Sequence, residues 1–149
     1  MQIAPMTGED DQTELAFPHL IKWVEMAVRA QVDRAMRTLP VSSSQLFVLV
    51  LLEERGEATA AALARMMYLT PQAMTTLLGP LREQGYVARR NDETHGRKQL
   101  LRLTEKGDAI LHDVRALTPA IEADLLAGFT DSERGTLRTL LGRIVRPTD

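Results

Sequence analysis

The sequence has no cysteine, which removes disulfides, thiolate metal sites and thiol redox chemistry from consideration. No apolar run approaches the roughly 18 residues that a membrane-spanning helix needs, so no membrane partner is expected. The opening MQIAPMTGEDDQTE is polar and acidic, unlike a secretory leader. Cytoplasmic residence is therefore the expectation. There is no glycine-rich phosphate loop. His19, His95 and His112 lack any two-ligand helical spacing, so neither a metal nor another cofactor is expected. Ser42, Ser43 and Ser44 precede a helical pattern and read as a cap rather than a nucleophile. No other catalytic arrangement stands out, and an enzyme is not expected.

What is present fits one ordinary globular domain. The chain has 149 residues, 44% of them hydrophobic and 26% charged, enough to bury a real core. Net charge is only −2, but its distribution is uneven. Residues 1–14 carry Glu9, Asp10, Asp11 and Glu14 with no basic residue. Residues 82–106 hold Arg82, Arg89, Arg90, Arg97, Lys98, Arg102 and Lys106 against four acids. Such a local basic patch is either a footprint for a polyanion or a solvated charged face.

Periodicity and punctuation give the element order. Leu20, Trp23, Val24, Ala27 and Val28 begin an apolar stripe at helical spacing, predicting a helix over about 18–39 with Pro18 in its first turn and Pro40 after its end. Ser42 with Gln45 has the spacing of a capping box. It opens a second helix whose run Leu46–Leu52 is apolar all round, stopped by Gly56. Thr59 caps a short helix with Leu63, Met66 and Met67 inward. Thr70 caps another, with Pro71 at its first position. YVARR and KQLLRLT read as two strands around the polar linker NDETHG. Helix returns from Thr104 towards Phe129, with Pro119 expected to kink it. Thr130–Glu133 forms a second capping box before a final helix containing Leu137, Leu140, Leu141, Ile144 and Val145.

The segment 70–84 carries the functional signal. On a helical wheel Met74, Leu77, Leu78 and Leu81 fall on one face. The opposite face centres on Gln72, Thr76 and Gly79, with Ala73 and Thr75 flanking. Solvated helices usually show Lys and Glu there; this one is uncharged until Glu83. These side chains suit a major groove: Gln bonds adenine in bidentate fashion, Thr bonds several base edges, and a Thr methyl or Ala touches a thymine methyl. Gly79 would let a backbone approach closely. The helix N-terminus offers N–H groups to a phosphate. The continuity of the apolar face across Gly79-Pro80 predicts one bent helix, not two. With the short helix before it, the unit is a helix-turn-helix, and the hairpin after it a wing. Arg97 at the wing tip is a minor-groove candidate, or a solvated loop charge. Gln72, Thr75 and Thr76 would read bases; Thr70, Lys98 and Arg102 would hold phosphates.

These residues, LARMMYLTPQAMTTLLGPLREQGYVARRNDETHGRKQLLRLTEKG, resemble the winged helix-turn-helix of MarR-type transcriptional regulators. The likeness extends over nearly the whole chain. It implies a mainly α fold with a small β-hairpin wing (α+β), in which residues 41–104 form the DNA-binding region. Residues 12–38 and 118–146 would be the dimerisation helices of a homodimer. It also implies a cytoplasmic repressor that binds double-stranded DNA and is relieved by a small-molecule effector, with an aromatic one as a candidate. The effector would sit between the dimerisation helices and the winged region, where Trp23, Met26, Phe47 and Met67 are candidates that could equally be core. Two-fold symmetry would match a pseudo-palindromic operator with recognition helices ~34 Å apart, or a multiple. Three positions depart from the family: His95-Gly96-Arg97 lacks the Asp of an Asp-x-Arg wing, Tyr68 stands where Gly is usual, and Pro80 replaces an ordinary helix former. The rival reading keeps the fold as a small-molecule or protein-binding module without sequence-specific DNA contact.

Overall fold

In a computed structural model the chain folds as α1 (Phe17–Ala35), α2 (Ser43–Arg55), β1 (Glu57–Ala58), α3 (Ala60–Met66), α4 (Pro71–Glu83), β2 (Val87–Asn91), β3 (Gln99–Leu103), α5 (Glu105–Leu125) and α6 (Asp131–Val145). The structure describes residues 16–91 and 99–145. The wing tip, with His95, Arg97 and Lys98, and the acidic N-terminal stretch lie outside them.

The helix starts are set by side chains three residues from the caps. Ser42 Oγ accepts from the Gln45 N–H while Gln45 Oε1 accepts from the Ser42 N–H, the reciprocal box expected. Thr59 Oγ1 accepts from Ala62, Thr70 Oγ1 from Ala73 and Thr104 Oγ1 from Gly107. Each such cap is worth about 1 kcal/mol. Thr130 and Glu133 close the last box, with the Thr130 N–H donating to Glu133 Oε2 at 2.8 Å.

Several boundaries differ from the sequence reading. α1 stops at Ala35 and the chain turns over residues 36–38 before Pro40 is reached. α5 runs through Pro119 as one helix and ends at Leu125, not Phe129. Its end is held by Arg134 of α6, whose Nη2 donates to Leu126 O at 2.9 Å and Nε to Phe129 O at 3.2 Å. Phe47, within the run expected to be buried all round, is 49% exposed. The two-residue strand β1 was not anticipated, because two residues carry no readable alternation.

That strand completes a three-stranded antiparallel sheet in the order β1-β3-β2. Glu57 pairs with Arg102 and Ala58 with Leu101; on the other side Ala88 pairs with Arg102 and Arg89 with Leu101. Side chains alternate between faces, so Ala58, Val87, Arg89 and Leu101 share one face and Glu57, Ala88, Arg90 and Arg102 the other.

The core fills the centre of the winged region. Val48, Leu49, Leu51 and Leu52 from α2 meet Leu63 from α3, Met74, Leu78 and Leu81 from α4, Leu101 from β3, and Ile110, Leu111 and Val114 from α5. The expected inward face of α4 is thus observed, with Leu77 half-buried at its edge. The start of α5 is locked to the end of α4. Thr104 Oγ1 donates to Gly85 O at 2.6 Å and Lys106 Nζ to Gln84 O at 2.7 Å. At Gly107 an added Cβ would stand 2.4 Å from Tyr86 O, so only glycine permits this contact. In contrast, α1 and α6 bury no residue.

Candidate nucleic-acid interface

The helix-turn-helix is built by α3, a tight turn and α4. α3 closes with two hydrogen bonds, from Tyr68 N–H to Arg65 O (3.2 Å) and from Leu69 N–H to Ala64 O (2.8 Å). This pattern demands a left-handed residue at 68, and Tyr68 has φ 54°. A non-glycine residue there costs roughly 1–2 kcal/mol. Thr70 then caps α4, and Pro71 enters the helix at N1. Pro71 has no N–H and the Ala73 N–H is taken by Thr70. No hydrogen bond among the described residues takes the Gln72 N–H, which points out of the positive end of the helix.

α4 is one helix across Gly79-Pro80, as the continuous apolar face required. Gln72, Thr75 and Thr76 are exposed, and Ala73 and Gly79 are half-buried. The threonine hydroxyls are not free donors. Thr75 Oγ1 donates to Pro71 O at 2.9 Å and Thr76 Oγ1 to Gln72 O at 3.1 Å. Their protons are spent within the helix, so outward they present acceptor lone pairs and methyl groups. Such a face complements an exocyclic base amine or a thymine methyl. Among the side chains of this face, Gln72 alone offers both a donor and an acceptor.

A hollow lies between α4 and the sheet, lined by Ala60, Thr75, Leu78, Arg82, Arg89 and Leu101 with Gln99 at its edge. The sequence reading placed neither Arg82 nor Arg89 in the site. Both are exposed and form no ion pair among the described residues. The signals were available in part: Thr75, Leu78 and Arg82 follow i, i+3, i+7 spacing on α4, and Arg89 is two residues from the buried Val87 on β2. Only the packing of β2 beside α4 joins the two patterns.

Arg102 lies on the other face of the sheet. It is exposed, and its cross-strand neighbour is Glu57. The Glu57 carboxylate is engaged bidentately by Arg90, with Nε and Nη2 each at 2.6 Å. Arg102 therefore stands near a carboxylate already paired, which weakens its pull on a polyanion less than a direct ion pair would. The structure thus brings Thr70, Gln72, Thr75 and Thr76 together on one helix, with Arg82 and Arg89 beside them and Arg102 behind.

The four candidate pocket residues are not gathered by this site. Trp23 and Phe47 are nearly half exposed, at 44% and 49%, and Met26 and Met67 are half-buried. A second hollow runs along α6 past Asp131, Gly135, Thr136 and Leu140. No helix among the described residues is long and apolar enough to cross a membrane.

Comparison with known proteins places this geometry. The family model described as MarR family matches residues 39–98. The HTH-type transcriptional regulator MT0903.1 of Mycobacterium tuberculosis is 34% identical over 100 residues, which are 67% of this chain and 70% of that protein. The HTH-type transcriptional repressor Rv2887 of the same species is 29% identical over 126 residues, covering 85% of this chain and 91% of its own. Its crystal structure, a complex with salicylic acid, superposes with a TM-score of 0.75 at 28% identity over 88% of this chain and 97% of that one. A mutant MarR of E. coli complexed with operator DNA has a TM-score of 0.75 at 23% identity, covering 87% and 93%. That last likeness is one of fold.

Proposed function

The chain belongs to the MarR family, and from that premise we propose that it is a homodimeric, ligand-responsive repressor of transcription that binds a pseudo-palindromic operator. The observation that carries this reading is the outward face of α4: exposed, uncharged and donor-poor, with Arg82 and Arg89, which form no ion pair among the described residues, beside it. A helix that merely faced water would have no reason to avoid Lys and Glu over three turns.

The division of labour follows from the chemistry. Gln72 is the base reader, by its bidentate amide. Thr75, Thr76 and Ala73 add acceptors and methyl contacts in the groove. Thr70 and the Gln72 N–H, at the positive end of α4, hold a phosphate. Arg82 and Arg89 supply charge along the duplex, and Arg102 does so from the far face of the sheet. Lys98 and Arg97 extend the contact through the wing, with Arg97 in the minor groove. Two copies joined through α1, α5 and α6 would present two α4 helices to successive major grooves.

The mutant MarR of E. coli is seen on operator DNA and Rv2887 with salicylic acid, and the second complex supports a small aromatic acid as the effector class here. Release requires the effector to bind the DNA-incompetent arrangement more tightly than the competent one. Trp23, Met26, Phe47 and Met67 are the proposed effector contacts.

The test is the salt dependence of binding to the DNA upstream of the chain's own gene. A repressor contacting several phosphates should lose affinity about 10³-fold or more between 50 and 200 mM salt. Binding that is absent, or indifferent to salt, would select the rival reading of a winged-helix module without operator contact.

A further inference from the structure

We propose that Tyr68 is a sugar–phosphate contact, kept in the turn despite its strained backbone. The proposal rests on the DNA-binding reading above. Tyr68 is the one non-glycine residue among those described with positive φ. The two hydrogen bonds that close α3 fix this conformation, and glycine would satisfy both without a Cβ in the left-handed region. Among the described residues no contact of the side chain offsets the strain. The side chain is 96% exposed, so its ring buries almost no area, and its hydroxyl has no partner among the described residues. A strained residue with no folding role is the kind that collects at functional sites.

Its surroundings select the partner. Tyr68 precedes the α4 cap Thr70 by two residues and so stands next to the N-terminus of α4, where no hydrogen bond among the described residues takes the Gln72 N–H. Arg65, one turn back on α3, is exposed and forms no ion pair among the described residues. The neighbours Arg65, Thr70, Pro71 and Gln72 make no apolar patch that would seat a protein. They suit an anionic backbone. A tyrosine adds a hydroxyl that donates to a phosphate oxygen and a ring face that lies on deoxyribose. The turn also fixes the direction in which the Cα–Cβ bond of Tyr68 leaves the backbone, since it allows φ at 68 little freedom.

A contact to the backbone has a distinct signature: it weakens binding on every sequence alike, whereas a base contact alters discrimination. Tyr68→Gly and Tyr68→Phe should be compared with wild type on two duplexes, one selected by the wild-type chain from a random pool and one unrelated, of equal length and at low salt. Tyr68→Gly should melt at a higher temperature than wild type and bind both duplexes roughly 5- to 30-fold more weakly, the range expected for loss of one or two kcal/mol of contact. Tyr68→Phe should retain the wild-type melting temperature and lose part of the affinity on both. Unchanged affinity of Tyr68→Gly overturns the proposal, and so does a loss confined to the selected duplex. If the wild-type chain binds neither duplex, the operator reading itself fails and this one with it. If wild type binds and Gln72→Ala relaxes discrimination while Tyr68→Gly binds normally, only the present inference falls.

Discussion

The winged region and the terminal helices handle their apolar residues in opposite ways. Between Val41 and Val114 the chain closes a core by itself, with Val48, Leu49, Leu52 and Leu63 at 0% exposure. No residue of α1 or α6 is fully buried, yet both helices are amphipathic. Phe17, Ile21, Trp23, Val24, Ile144 and Val145 all remain more than two-fifths exposed. An apolar stripe of that size is rarely left to water on a monomer. The winged region is therefore a finished unit in one chain, while the terminal helices are half of something. This division suits the proposed function. A rigid reading head can be carried by helices whose packing depends on a partner copy, and a ligand acting on those helices moves the head without unfolding it.

The sharpest way to break the comparison is in the core. Leu49→Ala should lower stability by about 2–5 kcal/mol in urea unfolding, because it opens a cavity on all sides. A loss below 1 kcal/mol would mean that the winged region is less closed than its burial indicates. The matching change on the unfinished side is Ile144→Lys. At 66% exposure it should alter the stability of an isolated chain by no more than about 0.5 kcal/mol. It should nevertheless raise the dimer dissociation constant at least about tenfold, since a charge would enter an apolar contact without a partner. Sedimentation over a range of concentrations reads this directly, and an unchanged dimer would remove α6 from the interface.

Gln72→Ala leaves both regions folded and probes only the outward face of α4. It should cost ~1–3 kcal/mol of discrimination between the selected operator and its single-base variants. A loss equal on all sequences would show that Gln72 touches backbone only. The smallest expected effect lies at the α6 cap. Two hydrogen bonds donated by Thr130, from its backbone N–H and from its hydroxyl, hold the Glu133 carboxyl below the usual glutamate range. A group whose folded pKa is depressed stabilises the fold above its unfolded pKa and loses that effect as pH falls through the folded one. Acidification through and below the ordinary glutamate range should thus fray the start of α6. In far-ultraviolet dichroism Glu133→Gln should lack this step, and a variant titrating like wild type would contradict the cap.

Much of the architecture was legible because its causes are local. The caps at Ser42, Thr59, Thr70 and Thr130 each depend on a side chain and an N–H three residues apart, and spacing in the sequence is then spacing in the structure. The inward row Met74, Leu78 and Leu81 was legible for the same reason, as was the unbroken course of α4 over Pro80. The left-handed strain at Tyr68 was visible as soon as the turn was recognised as one that glycine usually fills.

What escaped the sequence was everything joined across elements. β1 is too short to show a pattern and exists because β3 offers it an edge. Arg90 finds Glu57 across 33 positions. Arg89 and Thr75 meet only because β2 packs beside α4, and Arg102 lies on the opposite face of the sheet because β1 and β2 fix the register of β3. The exposure of Trp23 and Phe47 likewise could not be read from helical spacing, which gives a direction around an axis but not what stands there. The sequence by itself determined the helices, their caps and the uncharged reading face, since these follow from interactions within one turn. The tertiary structure alone decided which arginines flank that face and which apolar stripes are left uncovered, since those depend on distances between elements that no local spacing encodes.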